Sequence, residues 1–453
     1  MDHKARWEKL LDRGRLNGTE VQEPKRKGNR SGFVRDYDRI LFSDAFRRLN
    51  DKTQVFPLSE DDHVHTRLTH SLEVSSVGRS LGIEAGDFLS ENGLLPAGLT
   101  SRDIGDVVSS ASLAHDIGNP PFGHSGEDAI SEWFKGRSAQ DLQISDDEFL
   151  ELTKFEGNAL GYRTLVRHQR PGGLRLCSAT LAAFTKYPCV AFAEKPWARG
   201  VQHKKYGLLR DDIRSFEVVA QRCGMERIED KVWLRHPLAF LVEAADDICY
   251  SIIDLEDGFR LGLVTLEEVK ELLSPLANRL KGFKEREGEY SRESMESGDA
   301  GRGQIAALRA YAVGALINAC TATFREHHDP ILSGDFESSL LEATDLAPDV
   351  EKILGTVKPK CYRAKEVLEI ERAGFEVLGG LLEVFYAALS PSRPKSGEKT
   401  LQAFPPLRRI ADSKNSQYWK LVQLVEYVGG MTDRFAVRTF RRLRGIELPG
   451  RNL

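Results

Sequence analysis

Apolar residues recur at three- and four-residue spacing through most of the 453-residue chain, with no sustained alternation of apolar and polar positions. That period is helical, so the pattern predicts a mainly helical, all-α fold. Val74, Val77, Leu81, Ala85 and Phe88 form the clearest stripe and predict a helix from about Leu68 to Leu89. Ile104, Val108 and Ala111 predict a second over Asp103 to Asp116. A third starts at Pro237, a favoured first-turn residue, and runs to Asp257 on Leu241, Ala245, Ile248, Ile252 and Leu255. From Asp36, arginines interleave with Ile40, Leu41, Phe42, Phe46 and Leu49. They form either a phosphate-facing row or the wet side of an amphipathic helix, and periodicity favours the second.

Between these patterns the text divides. Residues 1–35 are polar and basic, with K-R-K-G-N-R-S-G at Lys25 to Gly32, and read as an N-terminal arm. Residues 36–280 carry the strongest helical stripes and form the expected catalytic core. The charged, Gly- and Ser-rich stretch 281–303 reads as a flexible loop. Residues 304–453 predict further helices packed on the core, interrupted near Pro391 to Pro406. Lys186 to Gly207 mixes Lys, Arg, Tyr and Trp with Gly and Pro, which suits a ligand-contacting lid or an ordinary surface connection.

Composition changes this picture little. A net charge of −4 gives no whole-molecule attraction for nucleic acid or an anionic membrane, so any basic patch is local. The six cysteines form no C-x-x-C pair, which argues against a disulfide framework or a cysteine zinc site and suits a reducing compartment. The first residues lack the apolar stretch of a signal peptide, and no run reads as long enough to span a bilayer. A cytoplasmic protein without a membrane partner is expected.

The chemistry concentrates in A-S-L-A-H-D-I-G-N-P-P-F-G-H-S-G-E, Ala111 to Glu127. An apolar run delivers His115 and Asp116, a ligand pair for a divalent metal ion. Beyond two prolines come His124 and Glu127, a histidine–carboxylate pair of the kind that moves protons. His70 lies one turn before Val74 on the buried stripe, so it points inward. Asp246, Tyr250 and Asp254 fall at steps of four on one face of the third helix. A carboxylate in so apolar a stretch needs a partner, which makes Asp246 the natural closing ligand beside His70, His115 and Asp116. His328-Asp329 is a second H-D pair, but Pro330 follows and no further His–Glu pair does, so it reads as a loop.

R-L-T-H-S, A-H-D-I-G-N-P-P-F-G-H-S-G-E and E-A-A-D-D-I-C-Y-S-I-I-D together resemble the HD-domain phosphohydrolases. Within them the chain is similar to the dGTPase-like deoxynucleoside triphosphate triphosphohydrolases. K-T-Q-V-F, F-E-G-N-A, K-K-Y-G and G-M-T-D-R-F-A carry that narrower likeness from about Asp38 to Ala436. The resemblance implies His70, His115, Asp116 and Asp246 as ligands of a divalent metal whose identity stays open among Mn, Mg, Co, Fe, Ni and Zn. It implies His124 and Glu127 as the catalytic pair, and Arg67 and Lys205 on the phosphates with Tyr206 nearby. Gln54 and Asp254 would bind the sugar 3′-hydroxyl, and Tyr250 would pack on the deoxyribose. The implied reaction is attack at the α-phosphorus of dGTP or of dNTPs generally, giving a deoxynucleoside and inorganic triphosphate. Homo-oligomers, often hexamers, activating dNTPs at a second site and single-stranded DNA are the implied partners.

Two rivals remain at this level. Another HD hydrolase, a 5′-nucleotidase or a cyclic-dinucleotide or alarmone phosphodiesterase, would not need Arg67 with K-T-Q-V-F or the Tyr250–Asp254 face. A nucleic-acid-binding protein with a vestigial site would explain the basic N-terminal run but not an intact ligand set.

Overall fold

The computed structural model describes residues 2–23, 30–56, 64–167, 173–193, 205–284 and 301–447. Helices dominate these residues, and the only sheets among them are two short antiparallel hairpins, Arg15–Asn17 with Glu20–Gln22 and Arg227–Glu229 with Val232–Trp233. The helices that place the site are α1 (Gly32–Leu41), α2 (Arg67–Glu91), α3 (Ser101–Ala114), α4 (Gly123–Lys135), α5 (Gly157–Arg167), α6 (Ser178–Phe184) and α7 (Pro237–Arg260). Four follow from the C-terminal half: α8 (Arg302–Glu326), α9 (Lys365–Leu389), α10 (Gln417–Gly429) and α11 (Asp433–Leu443).

Several begin where local chemistry favours it. Thr66 caps α2, its side chain accepting from Thr69 N while the Thr69 hydroxyl answers to Thr66 N. Thr432 caps α11, and Pro237 opens α7. The stripes predicted for α2 and α7 are buried, apart from a half-buried Phe88. Helices α2 and α3 pack closely because glycines face each other: a Cβ on Gly82 would lie 2.8 Å from the Gly105 Cα.

The apolar residues separate into two clusters. The first joins α2, α3, α6, α7 and α8, and the second gathers α4, α9, α10 and part of α11. The chain crosses from one to the other at the N-P-P turn between α3 and α4. Helix α8 packs with the first cluster, and α4 is buried against the C-terminal helices. Length and composition alone would let α8 cross a membrane, contrary to the sequence expectation, but Ile305, Leu308, Ala312, Leu316, Cys320 and Phe324 are buried in the first cluster.

The N-terminal residues are not an arm. Trp7, Leu10, Leu11 and Leu16 are buried in the first cluster, and Arg15 pairs with buried Asp36 at 2.6 Å. The basic run at 24–29 and most of the expected loop 281–303, residues 285–300, lie outside the described residues. His328 is likewise not in a loop: it begins a short helix, His328–Ser333. Trp7 Nε1 donates to its Nε2 at 3.0 Å, so the ring proton sits on Nδ1 and goes to Asp329 at 2.9 Å. This second H-D pair anchors the N-terminus.

Candidate metal centre and active site

Four expected ligands converge from three places. His70 lies on the first turns of α2, and Asp246 lies in the middle of α7. Helix α3 ends at Ala114, two residues earlier than predicted, so His115 is its cap and Asp116 belongs to the turn beyond. Donor atoms of His70, His115 and Asp246 lie within 4.8 Å of one another. Asp246 Oδ1 is 3.2 Å from His70 Nε2 and 3.4 Å from His115 Nε2.

The hydrogen bonds around this set leave the right atoms open. His115 Nδ1 donates to the Ser112 carbonyl at 2.7 Å, which turns the lone pair of Nε2 into the cluster. That Nε2 and Asp116 Oδ2 are buried without a protein partner. An unsatisfied buried nitrogen and carboxylate oxygen are costly unless something binds them. Two imidazoles and two carboxylates fit a divalent ion in the Mn-to-Zn range.

Electrostatics agrees. Burial pushes the Asp246 carboxyl up, yet Lys186 and the two histidines outweigh it and hold it well below the usual carboxylate range. Burial also opposes ionisation of Asp116, but Arg67 and the histidines keep its pKa low. Burial lowers the His115 pKa, which keeps that ring neutral. Burial pulls His70 down as well, but Asp246 more than offsets it, so the proton they share is the one an ion replaces.

Beyond the turn, Phe122 and Gly123 both take left-handed backbone, φ +63° and +59°, before α4 begins. A Cβ on Gly123 would sit 2.8 Å from the Arg67 guanidinium, so glycine lets that arginine lie under the turn. His124 Nδ1 meets Glu127 Oε2 at 2.8 Å, and Glu127 Oε1 accepts from Gly157 N at 2.7 Å. Burial raises the Glu127 pKa, but the His124 and Gly157 hydrogen bonds bring it below the ordinary value. The imidazole is 79 % exposed while the Glu127 side chain is 13 % exposed, so Nε2 is open to a ligand.

The turn is pinned from behind. Lys52 Nζ donates to the carbonyls of Asn119, at 2.5 Å, and Gly429, at 2.8 Å. Asp433 accepts from Thr53 N at 2.9 Å and from Phe122 N at 3.1 Å. The K-T-Q-V-F and G-M-T-D-R-F-A segments thus hold the N-P-P turn between the two clusters.

The candidate ligands and the His–Glu pair meet at one cleft of about 520 Å³. Gln54, Arg67, His115, Asp116, His124, Glu127, Lys205, Asp246, Tyr250 and Asp254 border it, with His70 buried directly behind. Gln54 Oε1 and Asp254 Oδ1 are buried there without a protein partner. Arg67 Nη1 bonds Asp116 Oδ1 at 2.7 Å. Tyr206 departs from expectation: its ring is buried in the second cluster, and its hydroxyl donates to the Glu151 carbonyl at 3.0 Å. It does not line the cleft, which its neighbour Lys205 borders. Lys204 and the rest of 194–204, half of the expected lid, lie outside the described residues.

Several cleft residues escaped sequence reading. Lys186 bonds Asp246 Oδ2 at 2.8 Å, and Tyr362 donates to Asp254 Oδ2 at 2.5 Å. Asn119, Tyr187, Val367 and Glu371 also border the cleft. Glu156 and Asn158, which had no assigned role, bond each other at 2.6 Å on its wall. A lysine two residues after the apolar run of α6 was a signal for Lys186, but Tyr362 lies in an unremarkable stretch more than 100 residues from its partner.

Comparison with known proteins places this geometry. Residues 67–169, which span Arg67 to the end of α5, match the HD domain model. A deoxyguanosinetriphosphate triphosphohydrolase-like protein of Synechocystis is 41% identical over 455 residues, covering 98% of this chain and 100% of its own length. One from Pseudomonas aeruginosa is 38% identical over 98% of this chain and 99% of its length. A deoxyguanosinetriphosphate triphosphohydrolase of Enterobacter is 30% identical over 92% of this chain and 94% of its length. On near-full-length similarity and an HD match over the ligand-bearing turns, the chain belongs to the deoxyguanosinetriphosphate triphosphohydrolase-like family of HD-domain hydrolases.

Proposed function

We propose that this hydrolase cleaves deoxynucleoside triphosphates at the α-phosphorus, releasing a deoxynucleoside and inorganic triphosphate. One observation carries the reading: a ligand set with open buried donor atoms and a separate His–Glu pair border the same cleft, which also holds Arg67 and Lys205. A divalent ion held by His70, His115, Asp116 and Asp246 would supply Lewis-acid polarisation of a phosphate oxygen and a more acidic water.

The protein's own groups do the rest. Arg67 and Lys205 offset the charge of the triphosphate and its developing leaving group. Water forms a bond to the α-phosphorus as the bond to the 5′-oxygen breaks. One proton must leave the water and one must reach that oxygen. His124 Nε2 serves this transfer because Glu127 occupies Nδ1 and fixes the ring. The unpartnered Gln54 Oε1 and Asp254 Oδ1 suit the sugar 3′-hydroxyl. Tyr250 against the sugar carbon at position 2′ leaves little room for a ribonucleotide's extra hydroxyl.

The family likeness extends the proposal to a homo-oligomer, dNTP activation at a second site and single-stranded DNA as a partner. The six free, buried cysteines suit a reducing cytoplasm. The test is product analysis with each dNTP singly and in mixtures, with Mg²⁺ or Mn²⁺. Inorganic triphosphate is the expected product, and orthophosphate or pyrophosphate would refute the reading. Mixtures that outpace the single nucleotides would reveal activation.

A further inference from the structure

Among the described residues that line the cleft, Lys186 is a cation whose charge the proposed reaction does not use. It stands two residues past the end of α6, where a helix C-terminus favours a cation, and its side chain is 11 % exposed. Its ammonium bonds Asp246 Oδ2 at 2.8 Å, while Oδ1 of the same carboxylate faces His70 and His115. Asp116 repeats the arrangement. Arg67 holds its Oδ1 at 2.7 Å, and its Oδ2 is left without a protein partner.

Each carboxylate in the cluster therefore has one oxygen bound by a cation; the other oxygen of Asp116 has no protein partner, and that of Asp246 meets the His70 and His115 rings. An ammonium has three donors and no acceptor, so the oxygen it holds is satisfied without an ion. Two carboxylates and two cations also make the protein side of the cluster neutral. A divalent ion then brings net positive charge to a cleft suited to a polyphosphate.

We infer that Lys186 is a positioning residue that holds Asp246 as a one-oxygen metal ligand, as Arg67 does for Asp116. The inference rests on the four-ligand reading of the site. It concerns how the metal is held, and assigns Lys186 no contact with substrate.

The sign of one measurement separates this role from simple charge. Removing a neighbouring cation on its own strengthens the binding of a metal ion, whereas loosening a ligand weakens it. The enzyme is stripped with a chelator and titrated with Mn²⁺, followed by calorimetry and the EPR signal of free Mn²⁺. Lys186→Met is expected to weaken Mn²⁺ binding about 10- to 100-fold, the usual cost of losing a group that orients a ligand. Lys186→Arg, which keeps a donor and a charge, is expected to recover most of it. Should Lys186→Met fold poorly by circular dichroism, Lys186→Gln is read in the same titration with the same expected direction.

Mn²⁺ binding as tight as native, or tighter, in the Met or Gln variant overturns the inference. So does unchanged binding with a raised KM, which would make Lys186 a phosphate contact. Failure of the underlying reading looks different: His115→Ala and Asp246→Ala would then bind Mn²⁺ like the native enzyme.

Discussion

Replacing Glu127 with glutamine tests the proton-transfer pair with almost no change in shape. Glu127 Oε1 accepts from Gly157 N at 2.7 Å, and Oε2 meets His124 Nδ1 at 2.8 Å. Only an oxygen can accept from the Gly157 amide, so the glutamine oxygen stays there and its NH₂ faces His124. Nδ1 must then accept, which moves the ring proton to Nε2. An imidazole protonated at Nε2 and neutral cannot take a proton from water through that atom. The loss expected for a disabled acid–base group is about two to four orders of magnitude in kcat. That corresponds to about 3–5 kcal/mol of transition-state stabilisation. Triphosphate release under saturating dNTP measures kcat, with KM from the same curves and metal content by elemental analysis. KM and metal content are expected to stay near native. A Glu127→Gln enzyme with native kcat would refute the tautomer argument and, with it, the role of His124.

The ligand and catalytic pairs should separate by assay: His115→Ala loses bound metal, whereas His124→Ala keeps it and loses about two to four orders of turnover. Gln54→Ala removes a buried acceptor from the sugar end, and is expected to raise KM for dNTPs more than it lowers kcat; equal KM values would detach Gln54 from the substrate. Burial pushes the Glu151 carboxyl up to about 8 despite its Tyr418 hydrogen bond, so the unfolded chain gives up this proton first as pH rises. Native stability should therefore fall between about pH 4.5 and 8 through this group, and Glu151→Gln should flatten that part of the Tm–pH curve; parallel curves would sink the assignment. Gly118 has φ +111°, and a Cβ there would lie 2.2 Å from Gly161 N. Gly118→Ala should cost about 2–5 kcal/mol in denaturant unfolding, and a cost under about 1 kcal/mol would contradict the close approach.

Helix type and the inward faces could be read along the chain because periodicity is a local property. Val74, Val77, Leu81 and Ala85 told which side of α2 is buried, and His70 rode on that stripe. The spacing of Asp246, Tyr250 and Asp254 placed all three on one side of α7, and all three border the cleft. The H-D and H-x-x-E pairs were legible because their members are neighbours in sequence. Pairings between distant segments have no such trace. Nothing near Trp7 announces that it anchors His328, and nothing near Lys52 announces that it pins the carbonyls of Asn119 and Gly429. Tyr206 was misplaced because one residue of chain direction decides whether a side chain enters the cleft or the second cluster. The sequence by itself determined a helical protein with two histidines and two carboxylates on inward faces and a neighbouring His–Glu pair. Only the tertiary structure decided which oxygen of each carboxylate is capped by a cation and which is left open. That choice depends on Arg67 and Lys186 arriving from other segments, and distance in space is what packing of the two clusters sets.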